Sequence, residues 1–398
     1  MKPAIAVEGG SPVRREFLVF GRPLVEEEAV EEVVRALRSG WIGTGPRVSR
    51  FEDAFREYTG ASHAVALSSC TAALHLALRA SGVGPGDEVV TTPMTFAATA
   101  NAVVHAGARP VFADCDRRTM NLSPAAFESV LTPRTRAVVP VDFAGRPCAV
   151  DGFLAVARPR GIAVVEDAAH SLGGEVAGRR VGALADLTCF SFYVTKNLTT
   201  AEGGMVTTED EGLARRIQSA GLHGLSRGAW KRFSDRGFRH YAVEEPGFKY
   251  NMTDLQAALG LVHLAKMDAY QERRRRLWDR YLEGLRDLPV DLPAPEDPGT
   301  VHARHLFTLL LRLEDLTADR DAISAALHAE NIGVGIHYLA LHLHPYYRDA
   351  CGLRRGMFPN AEWISDRTVS IPFGHGLTDD EAGDVLRAVR KVLERYRR

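Results

Sequence analysis

Apolar positions follow two rhythms along this chain of 398 residues. Between positions 63 and 208, short apolar runs recur at 63–67, 88–92, 110–113, 137–141, 162–165, 187–192 and 205–208. They are rich in β-branched residues and too short for helices, so they read as buried strands. The segments between them carry helical spacing. That alternation predicts crossover helices and a mostly parallel sheet in an α/β domain. Upstream, Val25, Ala29, Val30, Val33, Val34 and Leu37 share one face of a helix predicted over 25–38. A glycine-rich turn at 40–46 follows it.

The second rhythm is longer. Helical spacing starts near 254 and runs, with a break, to about 286. After Pro293-Ala294-Pro295 the pattern predicts a strand over 306–313, a helix over 320–330, a short strand near 336 and a strand over 369–371. A final helix opens on Thr378-Asp379-Asp380-Glu381, a capping-box pattern. The chain is too long for one simple core. The reading is a large α/β domain over 1–265, with the N-terminal segment, and a smaller α+β C-terminal domain over 266–398.

Charge narrows the function. With 49 basic and 50 acidic residues the net charge is -1, so no long-range field draws nucleic acid or an anionic membrane. Arg273-Arg274-Arg275-Arg276 is a local exception, but four successive residues spread around a helix axis. A solvated face or a subunit contact fits it better than nucleic acid; a lesser reading is contact with a substrate diphosphate. No apolar stretch of about eighteen residues is present, and the early acid Glu8 does not suit a signal peptide. The expected location is the cytoplasm. Cysteines at 70, 115, 148, 189 and 351 form no CxxC pair, which argues against a disulfide framework or a zinc site. His342 and His344 flank Leu343 without a completing ligand set, so structure or substrate lining is preferred to metal.

Candidate chemistry gathers at the ends of the predicted strands. Lys196 follows one apolar run and sits among Phe192, Tyr193 and Thr195. It is either a surface lysine or a desolvated amine with a depressed pKa. Asp167 ends the run before it, where open α/β sheets bind their ligands; it also fits a helix cap. Ser68-Ser69-Cys70-Thr71 opens an apolar helix predicted over 72–80. Its free N–H groups and the hydroxyls of Ser69 and Thr71 suit a phosphate, or a cap without a ligand. Phe96 can stack on a flat ring or pack in the core. His170 lies near such a ring or is structural. A lysine that holds an aldehyde as a Schiff base and an aspartate that holds a pyridine nitrogen make half of a pyridoxal phosphate (PLP) site. Ser191 can add a phosphate bond.

Seven segments carry a resemblance: SGWIGTGPRVSRFE (39–52), SSCTAALHLAL (68–78), PMTFAATANAV (93–103), VEDAAHSLGG (165–174), CFSFYVTKNLTTAEGGMV (189–206), GFKYNMTDLQAALGL (247–261) and GIHYLALHLHPYY (335–347). Over nearly its full length the chain resembles the DegT/DnrJ/StrS sugar aminotransferases, which are fold type I PLP enzymes. The resemblance implies that Lys196 bonds the cofactor aldehyde and shuttles the proton. Asp167 would pair with the pyridine nitrogen and Phe96 would stack on the ring. Cys70, Thr71 and Ser191, with Ser69 beside them, would hold the phosphate. His170 is assigned only proximity to the cofactor. Asn251 would reach the phosphate from the neighbouring subunit, making a homodimer with composite sites. Thr44, His337 and Tyr338 would line the sugar-nucleotide cleft, and a loop over 228–247 would lie near the partner's site.

The implied reaction is ping-pong transfer of an amine from glutamate, or glutamine, to a nucleotide-linked keto-sugar. The threonine-rich turn ending Glu202-Gly203-Gly204 resembles members acting at position 4, pointing to a dTDP- or UDP-linked 4-keto-6-deoxyhexose. A 3-keto-sugar or a cyclitol ketone is the alternative. A sugar dehydratase of the same fold carries His in place of Lys196, and Lys196 argues against it. A non-catalytic regulatory protein on this fold has no physical reason to keep Lys196, Asp167 and the phosphate cup together.

Overall fold

The computed structural model describes residues 4–226 and 242–398. Most of the loop expected over 228–247 lies outside the described residues. The first part of the chain runs α1 (Glu27–Arg38), α2 (Pro46–Thr59), β1 (His63–Leu67), α3 (Cys70–Ala80), β2 (Glu88–Thr91), α4 (Ala97–His105), β3 (Arg109–Phe112), α5 (Pro124–Ser129), β4 (Thr135–Val139), α6 (Val150–Ala157) and β5 (Ala163–Asp167). It continues through β6 (Glu175–Val176), β7 (Arg179–Arg180), β8 (Leu187–Ser191), β9 (Gly204–Thr208), α7 (Glu211–Ala220) and α8 (Asp254–Ala265). Each apolar run expected to be a strand is one, with ends shifted by up to two residues.

Seven strands form one sheet in the order β1-β9-β8-β5-β4-β2-β3. Only β9 runs antiparallel to its neighbours; the other pairs are parallel. Gly204 pairs with both Leu67 and Ser191, so the start of β9 sits between the ends of β1 and β8. Asp167 pairs with Cys189 on β8. The carboxyl ends of β1, β5 and β8 therefore open on one edge of the sheet, where ligands of such sheets bind.

Two expectations about the first helices need correction. The expected face of α1 does not turn wholly inward. Ala29 and Ala36 are buried, whereas Val25, Val30 and Leu37 remain exposed. The second helix, α2, was not foreseen at all. It begins with Pro46 at its first position, and its Phe51 and Phe55 pack edge-on against Phe192 and Phe190 in the core. Its N-terminal N–H groups are satisfied from far along the chain. Asp254 Oδ1 accepts from Gly45 and Val48, and Oδ2 accepts from Arg47.

The chain then breaks at Lys266 and continues as α9 (Met267–Leu285), β10 (Val290–Asp291), β11 (Thr300–Val301), β12 (Phe307–Leu311), α10 (Arg320–Ala329), α11 (Pro345–Cys351), α12 (Pro359–Ser365), β13 (Thr368–Ile371) and α13 (Asp379–Tyr396). The sheet β10-β12-β13 is antiparallel; a small third sheet joins β11, β6 and β7. The expected strand near 336 is absent. Gly335 instead makes an isolated antiparallel bridge to Ser370. Thr378 and Glu381 form the expected capping box of α13. Leu277, Tyr281, Phe307, Ile371 and Val389 share an apolar cluster with Ile5 and Leu18 of the N-terminal segment. Glu330 ties that segment down, accepting from the N–H groups of Ala6 and Val13 at 2.8 Å each. No described helix is long and apolar enough to cross a membrane.

Candidate active site

One cavity of about 650 Å³ opens over the strand ends. Its wall carries Ser69, Cys70, Thr71, Phe96, Asp167 and His170, and also Ser191, Lys196, His337 and Tyr338. Each of these was a sequence candidate. Thr44 and Asn251 are not on this wall. They bond to one another instead, with Asn251 Nδ2 donating to Thr44 Oγ1 at 2.5 Å and Thr44 Oγ1 donating to the Met252 carbonyl at 2.5 Å.

Lys196 lies in the turn after β8, where its N–H donates to the Tyr193 carbonyl at 2.9 Å. Its ammonium makes no ion pair among the described residues. Burial drives the amine pKa down to about 8, against the smaller opposing pull of Cys70 and Asp167. Asp167, at the end of β5, is 4% exposed. Its Oδ2 accepts from the Thr99 hydroxyl at 2.7 Å, and its Oδ1 from the Ala169 N–H at 3.2 Å. Thr95 and Thr99 are themselves bonded, at 2.8 Å. Burial raises the carboxyl pKa, and the hydroxyl and N–H donors offset part of that rise. No cationic side chain makes an ion pair with Asp167 among the described residues, so a buried carboxylate held by two neutral donors faces the cavity, with Lys196 acting on it only at longer range.

The N-terminus of α3 opens on the cavity as a cup that suits a phosphate. Ser69 caps α3, its Oγ accepting from the Ala72 N–H at 3.1 Å. Its hydroxyl proton remains free to donate into the cavity. The Cys70 thiol turns away, toward the Cys189 carbonyl at 3.8 Å, and burial raises its pKa well above the ordinary value. What Cys70 and Thr71 offer a phosphate is thus the free N–H pair of the first helical turn. Gly204 packs onto this cup. A Cβ there would lie 2.4 Å from the Ser69 carbonyl carbon and 2.6 Å from the Cys70 nitrogen. Only glycine lets β9 approach so closely.

Histidines line the other end. The Ala144 N–H donates to His170 Nδ1 at 3.2 Å, and Tyr338 Oη lies 3.3 Å from His170 Nε2. An acceptor Nδ1 places the ring proton on Nε2, so that nitrogen donates to the tyrosine oxygen. His305 donates from Nδ1 to Asn197 Oδ1 at 2.9 Å, and its ring centroid is 4.4 Å from that of His170. His337 Nδ1 bonds Ser370 Oγ at 2.9 Å. Burial holds His170 and His305 well below the ordinary pKa and lowers His337 to about 4, so all three are neutral. Phe96 is 64% exposed on the cavity wall, its ring centroid 6.3 Å from that of Tyr338.

Sequence reasoning missed Thr99 and His305. A hydroxyl one helical turn from Phe96 was a usable signal for the first; His305 carried none, because its partner Asn197 is 108 residues away. The arginine run also needs correction. Arg275 and Arg276 pair with Glu272 at the surface, but Arg274 is 2% exposed. His342 is buried against Glu362 at 2.9 Å and is not on the wall of this cavity, which fits the structural reading.

The cavity fits PLP. It offers a free amine, an unpaired carboxylate for a ring nitrogen, an exposed aromatic ring, and a helix N-terminus shaped for phosphate. Known proteins agree. The model of the DegT/DnrJ/EryC1/StrS aminotransferase family matches residues 23–390. The spore coat polysaccharide biosynthesis protein SpsC of Bacillus subtilis (strain 168) is 47% identical over 383 residues, covering 96% of this chain and 98% of its own. Among solved structures, Spr1654 of Streptococcus pneumoniae in its PLP form matches with a TM-score of 0.87 at 32% identity, covering 95% of this chain and 99% of its own. PseC of Helicobacter pylori, an aminotransferase involved in the biosynthesis of pseudoaminic acid, matches with a TM-score of 0.88 at 27% identity, over 96% and 100% of the two chains.

Proposed function

The chain belongs to the DegT/DnrJ/EryC1/StrS aminotransferase family and is a PLP-dependent sugar aminotransferase, and from that premise we propose that it aminates a nucleotide-linked keto-sugar with glutamate as donor. Bound PLP supplies an aldehyde that carries the amine and a ring that draws electrons from the reacting carbon. The observation that carries the reading is the placement of Lys196 and Asp167 on one cavity wall.

In this reading Lys196 Nζ anchors the cofactor aldehyde and then moves the proton at the reacting carbon. Its depressed pKa suits both tasks near neutrality. Asp167 keeps the ring nitrogen protonated, held in place by the Thr99 hydroxyl. Ser69, Cys70, Thr71 and Ser191 bind the phosphate, and Phe96 covers one ring face. His170 fixes the Tyr338 hydroxyl, which then points its own proton toward substrate. His337 and Tyr338 face the sugar. A cavity of about 650 Å³ leaves room for one beyond the cofactor.

The site is proposed to be completed by a second copy. Trp41 and Ile42 are exposed close to Thr44 in the chain, as are Val30 and Leu37 on α1 before them. Asn251 Nδ2 spends one N–H on Thr44 and keeps another for a partner's phosphate. The break at Lys266 is the proposed division between large and small domains. The turn ending in Glu202-Gly203-Gly204 supports a dTDP- or UDP-linked 4-keto-6-deoxyhexose.

The test is a panel of keto-sugar nucleotides incubated with glutamate, with the position of the new amine read by NMR. Amination at carbon 4 of a 6-deoxyhexose is the expected outcome. Turnover of a 3-keto-sugar or a free cyclitol alone would overturn the substrate reading.

A further inference from the structure

A second cavity, of only about 20 Å³, shares Gly21, Thr195, Lys196 and Phe373 with the large one. Its wall also carries His263 from α8, Arg274 from α9 and His375 from the segment after β13. His263 and Arg274 are 1% and 2% exposed. Three nitrogens of these residues are buried without a hydrogen-bond partner among the described residues: His263 Nε2, Arg274 Nε and His375 Nδ1. Buried polar atoms are normally paired, so three orphans around one small cavity call for an occupant.

The chemistry of two of these nitrogens can be assigned. His263 Nδ1 lies 2.9 Å from the Thr199 carbonyl. A carbonyl only accepts, so Nδ1 carries the proton and Nε2 of the neutral ring offers a lone pair. Burial lowers the pKa of both His263 and His375, keeping them neutral. Arg274 Nε–H is always a donor. Elsewhere on its guanidinium, Nη1 donates to the carbonyls of Arg304 and His305. No carboxylate pairs with Arg274 among the described residues. His375 stacks flat on Tyr270, with centroids 3.9 Å apart.

One donor and two imidazole nitrogens match a water molecule. Water can accept from Arg274, donate to His263 and serve His375 Nδ1 as either donor or acceptor, and a buried water typically makes about three bonds. The cavity exceeds the roughly 10–15 Å³ that one water needs. A halide would face the His263 lone pair. We propose that this cavity holds one resident water, bonded to His263 Nε2, Arg274 Nε and His375 Nδ1, which ties α8, α9 and the segment after β13 together and so steadies the His263 ring behind the turn carrying Lys196. The same His263 also grips the Thr199 carbonyl in that turn. His263 is therefore a positioning residue, which acts on Lys196 through the backbone of its turn, and Arg274 and His375 act through it. The proposal stands apart from the identity of the sugar.

Diffraction from holoenzyme crystals grown in sodium bromide tests the occupant. The expected result is a single density peak at hydrogen-bond distance, about 2.7–3.2 Å, from the three nitrogens, with no anomalous bromine signal. An empty cavity or a bromide peak would overturn the proposal. His375→Phe tests the positioning role, since it keeps the stack on Tyr270 and removes Nδ1. Hydrogen exchange of the amides over 194–199 should rise about tenfold, the factor expected for loss of one hydrogen bond, with β4 and β5 unchanged. Exchange in that turn at the wild-type rate would show that the water does not hold it.

Discussion

Lys196 and Asp167 meet on the wall of one cavity within a single chain, whereas Thr44 and Asn251 bond to each other outside that wall. The first pair is fixed by the sheet. β5 and β8 are neighbours in register, so the residues at their ends have no choice but to converge. The second pair has exposed Trp41 and Ile42 close to Thr44 in the chain, with an amide N–H unspent. The difference teaches that the Lys196–Asp167 half of the site is assembled by the fold itself, whereas the proposed role of Asn251 needs another copy. Perturbing the intrinsic half should hurt at any protein concentration. Perturbing the other half should hurt most where subunits separate.

The largest effect belongs to Lys196→Ala. Proton transfer by a placed group contributes about 10²–10⁴-fold, so turnover should fall by about three orders of magnitude or more. The visible absorbance of the holoenzyme should also be lost. Transamination at the wild-type rate would remove the assignment. Asp167→Ala comes next. It leaves a buried ring cation without its counter-charge, which costs about 3 kcal/mol, or a loss of roughly a hundredfold in turnover. Measuring both variants at high and low protein concentration sharpens the comparison, because neither loss should depend on dilution.

Stability of the cofactor-free protein offers a third probe of the intrinsic half. The Lys196 pKa falls to about 8 from an ordinary 10.5 because burial penalises its charge. Between those values the unfolded chain binds more protons than the folded one, so folding stability rises with pH across that window. Lys196→Met has no charge to desolvate. Below pH 8 it should be more stable than the wild type by up to about 3 kcal/mol, and the gap should close above pH 10.5. Urea unfolding at pH 7 and pH 10.5 checks this; a constant gap would mean that the amine is not desolvated.

How much of this was legible before the structure depends on how local the signal is. Continuous apolar runs announced all seven strands of the large sheet, and strand ends announced Lys196 and Asp167. The helix α2 was invisible because its start rests on Asp254, more than two hundred residues away, and it follows a glycine-rich turn that reads as loop. The α1 stripe reads as core because spacing shows which face avoids water but not what covers it; Val30 and Leu37 stay exposed. Arg274 reads as one of four surface arginines, yet a helix sends each of four successive residues in a different direction. Cys70 does reach the cavity wall, but sequence alone does not say whether its thiol or its backbone faces the cavity.

Asn251→Ala addresses the half that a partner completes. Loss of one charge-assisted bond to phosphate is worth about 1.5–3 kcal/mol, so PLP affinity should drop at least about tenfold. Dialysis against buffer without PLP, repeated over a range of protein concentrations, reads the effect. Unchanged retention would cancel the cross-subunit role and leave the Thr44–Asn251 bond as a purely structural contact.

The smallest effect is expected at Cys70, and its smallness is what makes it informative. The thiol points at the Cys189 carbonyl inside the core, while the N–H of the same residue faces the cup. Burial keeps the thiol protonated and so unreactive. Cys70→Ala deletes the sulfur and leaves the N–H where it was. The Cys70 side chain makes only this one long contact to oxygen, so the change should cost no more than about 1 kcal/mol of folding stability. PLP affinity should stay within about twofold, since the phosphate bond is made by an atom the substitution does not touch. A Cys70→Pro variant removes that N–H and supplies the contrast, because proline at the first helical position is tolerated by the helix itself. Its PLP affinity should fall at least about tenfold while α3 remains folded by circular dichroism. If the alanine variant loses the cofactor and the proline variant keeps it, the cup is made of side chains, and its likeness to other helix-terminus phosphate sites fails.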